Sequence, residues 1–342
     1  MALNRTACED LPLKDGKASM CIKDIFHIEK PADKRLLGTE WITLAYTLFT
    51  AILIVIFWSG MNQPWRLLTA RLCIVVAIAV AYGLYRAVPC RFTRFLRHIF
   101  PLALLGFWYP DTYEFCRLFP NLDHLFAQAD QWIFGYQPAL EFCRAMPQMI
   151  WSELFNMGYF SYYLFIVLGV IAPLVWKPRE TDRTAFLILA GFFFYYLIYL
   201  FLPVAGPQFY FPAIPAADLA AGTFPAVGDY FRTHTELAAS ADAEGLFKEL
   251  VEFMQKSGER PTAAFPSSHV GMSTFLMVLI WRVKRVAAFV CLPFYVLLCA
   301  ATVYIQAHYF VDVVGGFVTA FVFLFMAQAL YDFIKKHNII VS

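Results

Sequence analysis

Seven apolar stretches govern what this chain can become: residues 36–60, 67–88, 152–176, 184–204, 268–281, 286–307 and 309–334. A helix needs about 20 mostly apolar residues to cross the hydrocarbon of a bilayer, and most of these stretches reach or pass that length. An eighth, 97–119, is weaker, because Pro101, Pro110, Asp111 and Glu114 interrupt it. Read as a broken or short span, it brings the expected count to about eight crossings. Composition agrees: 60% of the residues are hydrophobic and 15% charged, where soluble domains sit near about half and about a quarter. The fold expected is all-α and polytopic. A net charge of +2 leaves no basic surplus for nucleic acid.

The loops test this count, since Lys and Arg gather on cytoplasmic loops. One side takes Lys34 and Arg35, then Arg86, Arg91, Arg94 and Arg97, then Lys177, Arg179 and Arg183, then Arg282, Lys284 and Arg285, and finally Lys335 and Lys336. Arg66, Arg117 and Arg144 are the exceptions on the other side. The alternation places both termini inside. It divides the chain into a cytoplasmic segment 1–35, N-terminal membrane helices over 36–119, and a catalytic membrane domain over 120–342 with outer loops 120–151 and 205–265. The stretch 121–150 mixes Trp, Phe and Tyr with charges and prolines, as an interfacial helix or lid does. The polar part of the later loop, 233–260, reads as a short helix. No C-x-x-C pair occurs among the 8 cysteines, so neither a zinc site nor a redox motif is expected. Cys116 and Cys143 fall on one side of the topology, which leaves a disulfide between them open.

Ionisable residues at the edges of membrane spans are costly and by default mark function. Phe265-Pro266-Ser267-Ser268-His269-Val270-Gly271 opens one apolar stretch. A hydroxyl there caps a helix, and the free N–H groups of Ser267–His269 with the positive helix end form a place for phosphate. His308-Tyr309-Phe310-Val311-Asp312 opens another. Four residues apart on a helix, His308 and Asp312 would share one face, so the carboxylate would hold the imidazole and leave its other nitrogen free as a nucleophile. The helix carrying His269 runs inward and the one before His308 runs outward, so both rings are expected at the outer face. His27, His98, His124, His234 and His337 have no comparable setting and read as solvated or interfacial. Gly271, Gly315 and Gly316 read as close-packing positions between helices.

These two motifs resemble the second and third signatures of the type 2 phosphatidic acid phosphatase superfamily. More narrowly they are similar to those of inositol phosphorylceramide synthases, as is Phe134-Gly135-Tyr136-Gln137-Pro138; the likeness covers residues 130–316. The phosphatase branch carries a Ser-Arg pair where this chain has Ala301 and Thr302. Its first signature, Lys followed by Arg-Pro, is not matched either, since Arg260-Pro261 stands close to the second motif with Phe253 at the Lys position. The resemblance therefore implies a phosphotransferase with the superfamily's helical core. His308 would attack phosphorus, steadied by Asp312, and His269 would protonate the leaving oxygen. Ser267 and Ser268 would bind phosphate, and Arg260 and Lys256 are the candidate cations. It implies phosphatidylinositol as donor, a ceramide-like acceptor, no cofactor and no metal. The absence of long cytoplasmic tails leads to the expectation of a bacterial inner membrane, or a Golgi membrane in a eukaryote, and the topology puts the site on the extracytoplasmic or lumenal face. Two rivals stay open: hydrolysis of a lipid phosphate or pyrophosphate, and a transporter with a degenerate site.

Overall fold

A computed structural model describes residue 28 and residues 35–237, 245–337 and 339–340. The sequence readings for Cys8, Cys21, His27 and most of the segment 1–35 lie outside the described residues. Among the described residues there are helices, turns and two isolated β-bridges, and no strand.

The chain runs through α1 (Gly38–Ile56), α2 (Pro64–Ala87), α3 (Arg91–Ala103), α4 (Leu105–Cys116), α5 (Asp123–Phe134), α6 (Pro138–Ala145) and α7 (Met149–Trp176). It continues with α8 (Thr181–Tyr199), α9 (Pro207–Ala213), α10 (Ala216–Ala220), α11 (Leu246–Gly258), α12 (Ser268–Val283), α13 (Arg285–Tyr304) and α14 (Phe310–Lys336). Among the described residues six helical stretches are long and apolar enough to cross a membrane: α1, α2, α7, α8 with the turn before it, α13 and α14. Their outward faces carry Leu48, Val80, Leu164, Phe289 and Phe325, all exposed, as helices facing hydrocarbon require. The chain is a multi-pass membrane protein.

The remaining two expected crossings look different. α12 has 16 residues, about 24 Å at 1.5 Å per residue, short of the roughly 30 Å hydrocarbon layer. The weak stretch is broken at Leu104 into α3 and α4, each with a proline inside it. Its charged residues do not face lipid: Arg97 and Asp111 are both buried. Arg97 donates to both carboxylate oxygens of Glu40 at 2.5 Å, with each side chain 1% exposed. Arg71 of α2 pairs in the same bidentate way with Asp111. Arg97 is thus a buried helix tie, not the solvated loop cation its spacing suggested. His98 is corrected likewise: it is buried, with Nε2 2.9 Å from Asp182.

α8 is the centre of the bundle, buried continuously from Thr184 to Phe193. Around it the largest apolar cluster gathers Tyr46, Trp108, Phe165, Phe275, Leu298 and Phe323, so the N-terminal helices and the later ones share a core. Arg94–Asp182 and Arg183–Asp332 join the basic junctions at one end of the bundle. The first turn of α12 and the turn between α13 and α14 lie at the other. The glycines permit this meeting. A Cβ on Gly271 would collide with the Tyr195 hydroxyl of α8, and one on Gly316 with the Ser267 carbonyl, so α12 and α14 meet backbone to backbone with the Tyr195 side chain fitted against them. Cys116 and Cys143 are free thiols, so the open disulfide is not formed.

Candidate active site

Ser267 caps α12, its hydroxyl accepting from the Val270 N–H at 3.3 Å. That hydroxyl is wholly buried, and the Ser267 N–H donates to the Asp312 carbonyl at 3.0 Å. Ser267 thus uses both its hydroxyl and its N–H within the fold. Of the three N–H groups expected to cradle phosphate, those of Ser268 and His269 stay without a hydrogen bond among the described residues. His269 stands in the first turn, its ring stacked on Tyr159 at 4.6 Å between centroids and packed on Tyr162 at 4.4 Å.

His308 occupies the turn after α13, where Gln306 takes a left-handed φ of 63° to reverse the chain. The expectation of one helical face shared with Asp312 is not met, because α14 begins only at Phe310. Instead His308 Nδ1 lies 2.8 Å from the Ala264 carbonyl. A carbonyl only accepts, so Nδ1 carries the proton and Nε2 presents its lone pair. That lone pair points to His269 Nδ1, 3.4 Å away. Asp312 sits at the α14 N-terminus, where Oδ2 accepts the Tyr309 N–H at 2.9 Å and lies 3.5 Å from His308 Nδ1. Its second oxygen is buried without a partner among the described residues. The Ala264 backbone carbonyl, and not the Asp312 carboxyl, sets the tautomer. Burial pulls the pKa of His308 down to about 4, against the Ala264 hydrogen bond, so the ring is neutral near pH 7.

The two rings, together with Arg260 and Glu259, line a small polar pocket. A neutral, oriented imidazole facing a second one beside a guanidinium suits nucleophilic attack on phosphorus with proton transfer to a leaving oxygen. A family model for the PAP2 superfamily matches residues 123–326, more than half of the chain. The chain belongs to the PAP2 superfamily. PAP2 members are generally enzymes acting on phosphate esters, and this membership supports a lipid phosphatase or phosphotransferase type of function here. A search of the curated proteins returned no match, and neither did a search of the solved structures.

In this PAP2 chain the cations separate. Arg260 lines the pocket, makes no ion pair among the described residues, and uses one guanidinium nitrogen on the Glu259 carbonyl at 2.9 Å. Lys256 is exposed and paired with Glu252 at 3.4 Å, outside the pocket. Sequence reasoning missed a second layer, carried by α5. Asp123, fully buried, accepts from the Ala205 N–H (2.6 Å), the Gly206 N–H (2.7 Å) and the Tyr309 hydroxyl (2.9 Å). Asp130 accepts the Phe310 and Val311 N–H groups at 2.8 and 3.1 Å, capping α14 from outside. Both hold the His308 turn. Their legible signal was spacing: seven residues, two turns, on one face of an interfacial helix.

Proposed function

We propose that this protein transfers the phosphorylated head group of a phospholipid to a ceramide-like lipid, as its motif likeness to inositol phosphorylceramide synthases suggests. The observation that carries the reading is the facing of His308 Nε2 and His269 Nδ1 at 3.4 Å in a pocket that also holds Arg260, which makes no ion pair among the described residues. His308 Nε2 attacks phosphorus, the P–O bond to diacylglycerol breaks, and His269 gives that oxygen its proton. The acceptor hydroxyl then attacks the phosphohistidine, the N–P bond breaks, and His269 takes the hydroxyl proton back. Asp312, 3.5 Å from Nδ1, balances the positive charge of the phosphorylated ring. Arg260 and the Ser268 and His269 N–H groups stabilise the non-bridging oxygens. Phosphorus bonded to Nε2 occupies the space of the present ring contact, so donor entry parts the two histidines.

Transfer is favoured over hydrolysis by the burial of His308, which is 3% exposed, so that an acceptor delivered from the membrane meets the phosphohistidine in a site with little open solvent. In this reading residues 120–342 carry catalysis and 36–119 form the scaffold. α12 and the α3–α4 pair complete eight crossings, and the site faces the extracytoplasmic side of a bacterial inner membrane. Incubating the purified protein with phosphatidylinositol and ceramide tests it by mass spectrometry. A new inositol-bearing sphingolipid is expected; free inositol phosphate in its place makes the protein a hydrolase, and an untouched donor removes the enzyme reading.

A further inference from the structure

Glu259 ends α11 on the wall of the histidine pocket, and no step above uses it. Its Oε1 accepts from the Tyr159 hydroxyl at 3.0 Å, and its Oε2 from the Gln208 amide at 2.6 Å. Gln208 in turn accepts from Gln255 at 3.1 Å. Tyr159 is the ring stacked on His269. A continuous polar chain thus runs from α11 across α9 to the face of one of the two reacting rings. Burial raises the Glu259 pKa, against the pull of its hydrogen-bond donors. Arg260 stands next to it, yet its guanidinium bonds the Glu259 backbone and forms no ion pair with the carboxylate.

We infer that Glu259 and Gln208 form the subsite for the hydroxyl groups of the donor's head group, beside the phosphate held by Arg260 and the two histidines. The inference rests on the phosphoryl-transfer reading of that pair. A carboxylate has about four lone-pair directions, and the donors named here use two, so capacity remains for substrate hydroxyls. A hydroxyl can also accept in return from the Gln208 amide. A second phosphate is repelled by the carboxylate; an ammonium head group is drawn by Glu259 and opposed by Arg260 in the same pocket, so phosphatidylethanolamine is the comparison that separates ammonium from hydroxyl recognition. A bare phosphate monoester leaves the polar chain unmet. Sites built to hydrogen-bond a hydroxyl discriminate strongly against ligands that lack it. A polyhydroxylated head group is the class that fits.

Donor consumption by the full-length protein in mixed micelles tests this, with phosphatidylinositol, phosphatidylglycerol, phosphatidylethanolamine and phosphatidic acid compared, each with and without ceramide. The hydroxyl-bearing donors are expected to lead. The kcat/KM ratio of phosphatidylinositol to phosphatidic acid should fall about tenfold in Glu259→Gln and again in Gln208→Leu, carried by KM, as loss of a charged hydrogen bond implies. The inference is overturned if both variants lose all four donors in proportion, or if phosphatidylethanolamine leads and Glu259→Gln abolishes that preference. Consumption and product are read separately. Head-group discrimination with the phosphate released to water upholds the subsite and removes the ceramide acceptor; transfer to ceramide with no discrimination does the reverse.

Discussion

Two regions of this molecule bury acidic groups in opposite ways. Among the N-terminal helices, Glu40 and Asp111 each meet an arginine, and the charges cancel within the protein. Around the histidine pair, Asp123, Asp130 and Glu259 are met by N–H, hydroxyl and amide donors and, among the described residues, by no cation. The first arrangement is complete and inert. The second leaves Arg260 uncommitted beside two imidazoles, which is the condition for a substrate phosphate to be the missing anion. The contrast separates holding helices together from preparing a site.

The largest effect expected is on chemistry. His308→Ala should lower lipid turnover by about 10³-fold or more; it also leaves the buried Ala264 carbonyl without its donor, so a stability loss of about 1–3 kcal/mol is expected, and a folded variant that stays active would place the nucleophile elsewhere. The N-terminal pair should behave in the opposite sense. Arg97→Met leaves Glu40 buried without its cation and should cost about 3–5 kcal/mol of stability, while the double variant Arg97→Met with Glu40→Leu recovers most of it. If single and double variants melt alike, the pair is not the tie described here.

A smaller effect tests the second layer. Burial holds the pKa of Asp130 up at about 6, against the two N–H bonds that lower it. The folded value lies above the unfolded one, so this group adds stability as pH falls and loses it as pH rises through about 6. Acid should therefore weaken the α14 cap without unfolding the protein. Activity is expected to drop below about pH 6 while the melting temperature does not, and Asp130→Asn should remove that limb from the pH profile at a cost of about tenfold in kcat. An unchanged limb in Asp130→Asn would assign it to another group. Smallest of all, Lys256→Ala should change kcat/KM by less than about twofold, since its ion pair with Glu252 is exposed, whereas Arg260→Ala should raise KM about tenfold or more.

Much of this was legible along the chain. Periodic apolar runs located the six long spans, because hydrocarbon admits only helices with apolar outer faces. Ser267 read as a cap, and the alternating loops brought His269 and His308 to one end of the bundle, where the rings do meet. These are local signals, each written within about one helical segment of sequence.

Tertiary structure decided the rest. The carbonyl that orients His308 belongs to Ala264, 44 residues away, and the carboxylates that brace its turn lie about 180 residues upstream. Asp312, four residues from His308 and the obvious partner by spacing, spends its first hydrogen bond on the Tyr309 N–H because the helix starts two residues after the histidine. Arg97 and Glu40 find each other across 57 positions. A buried polar group must be satisfied by whatever the fold brings within 3 Å, and nothing in the residues flanking it records which distant group that will be.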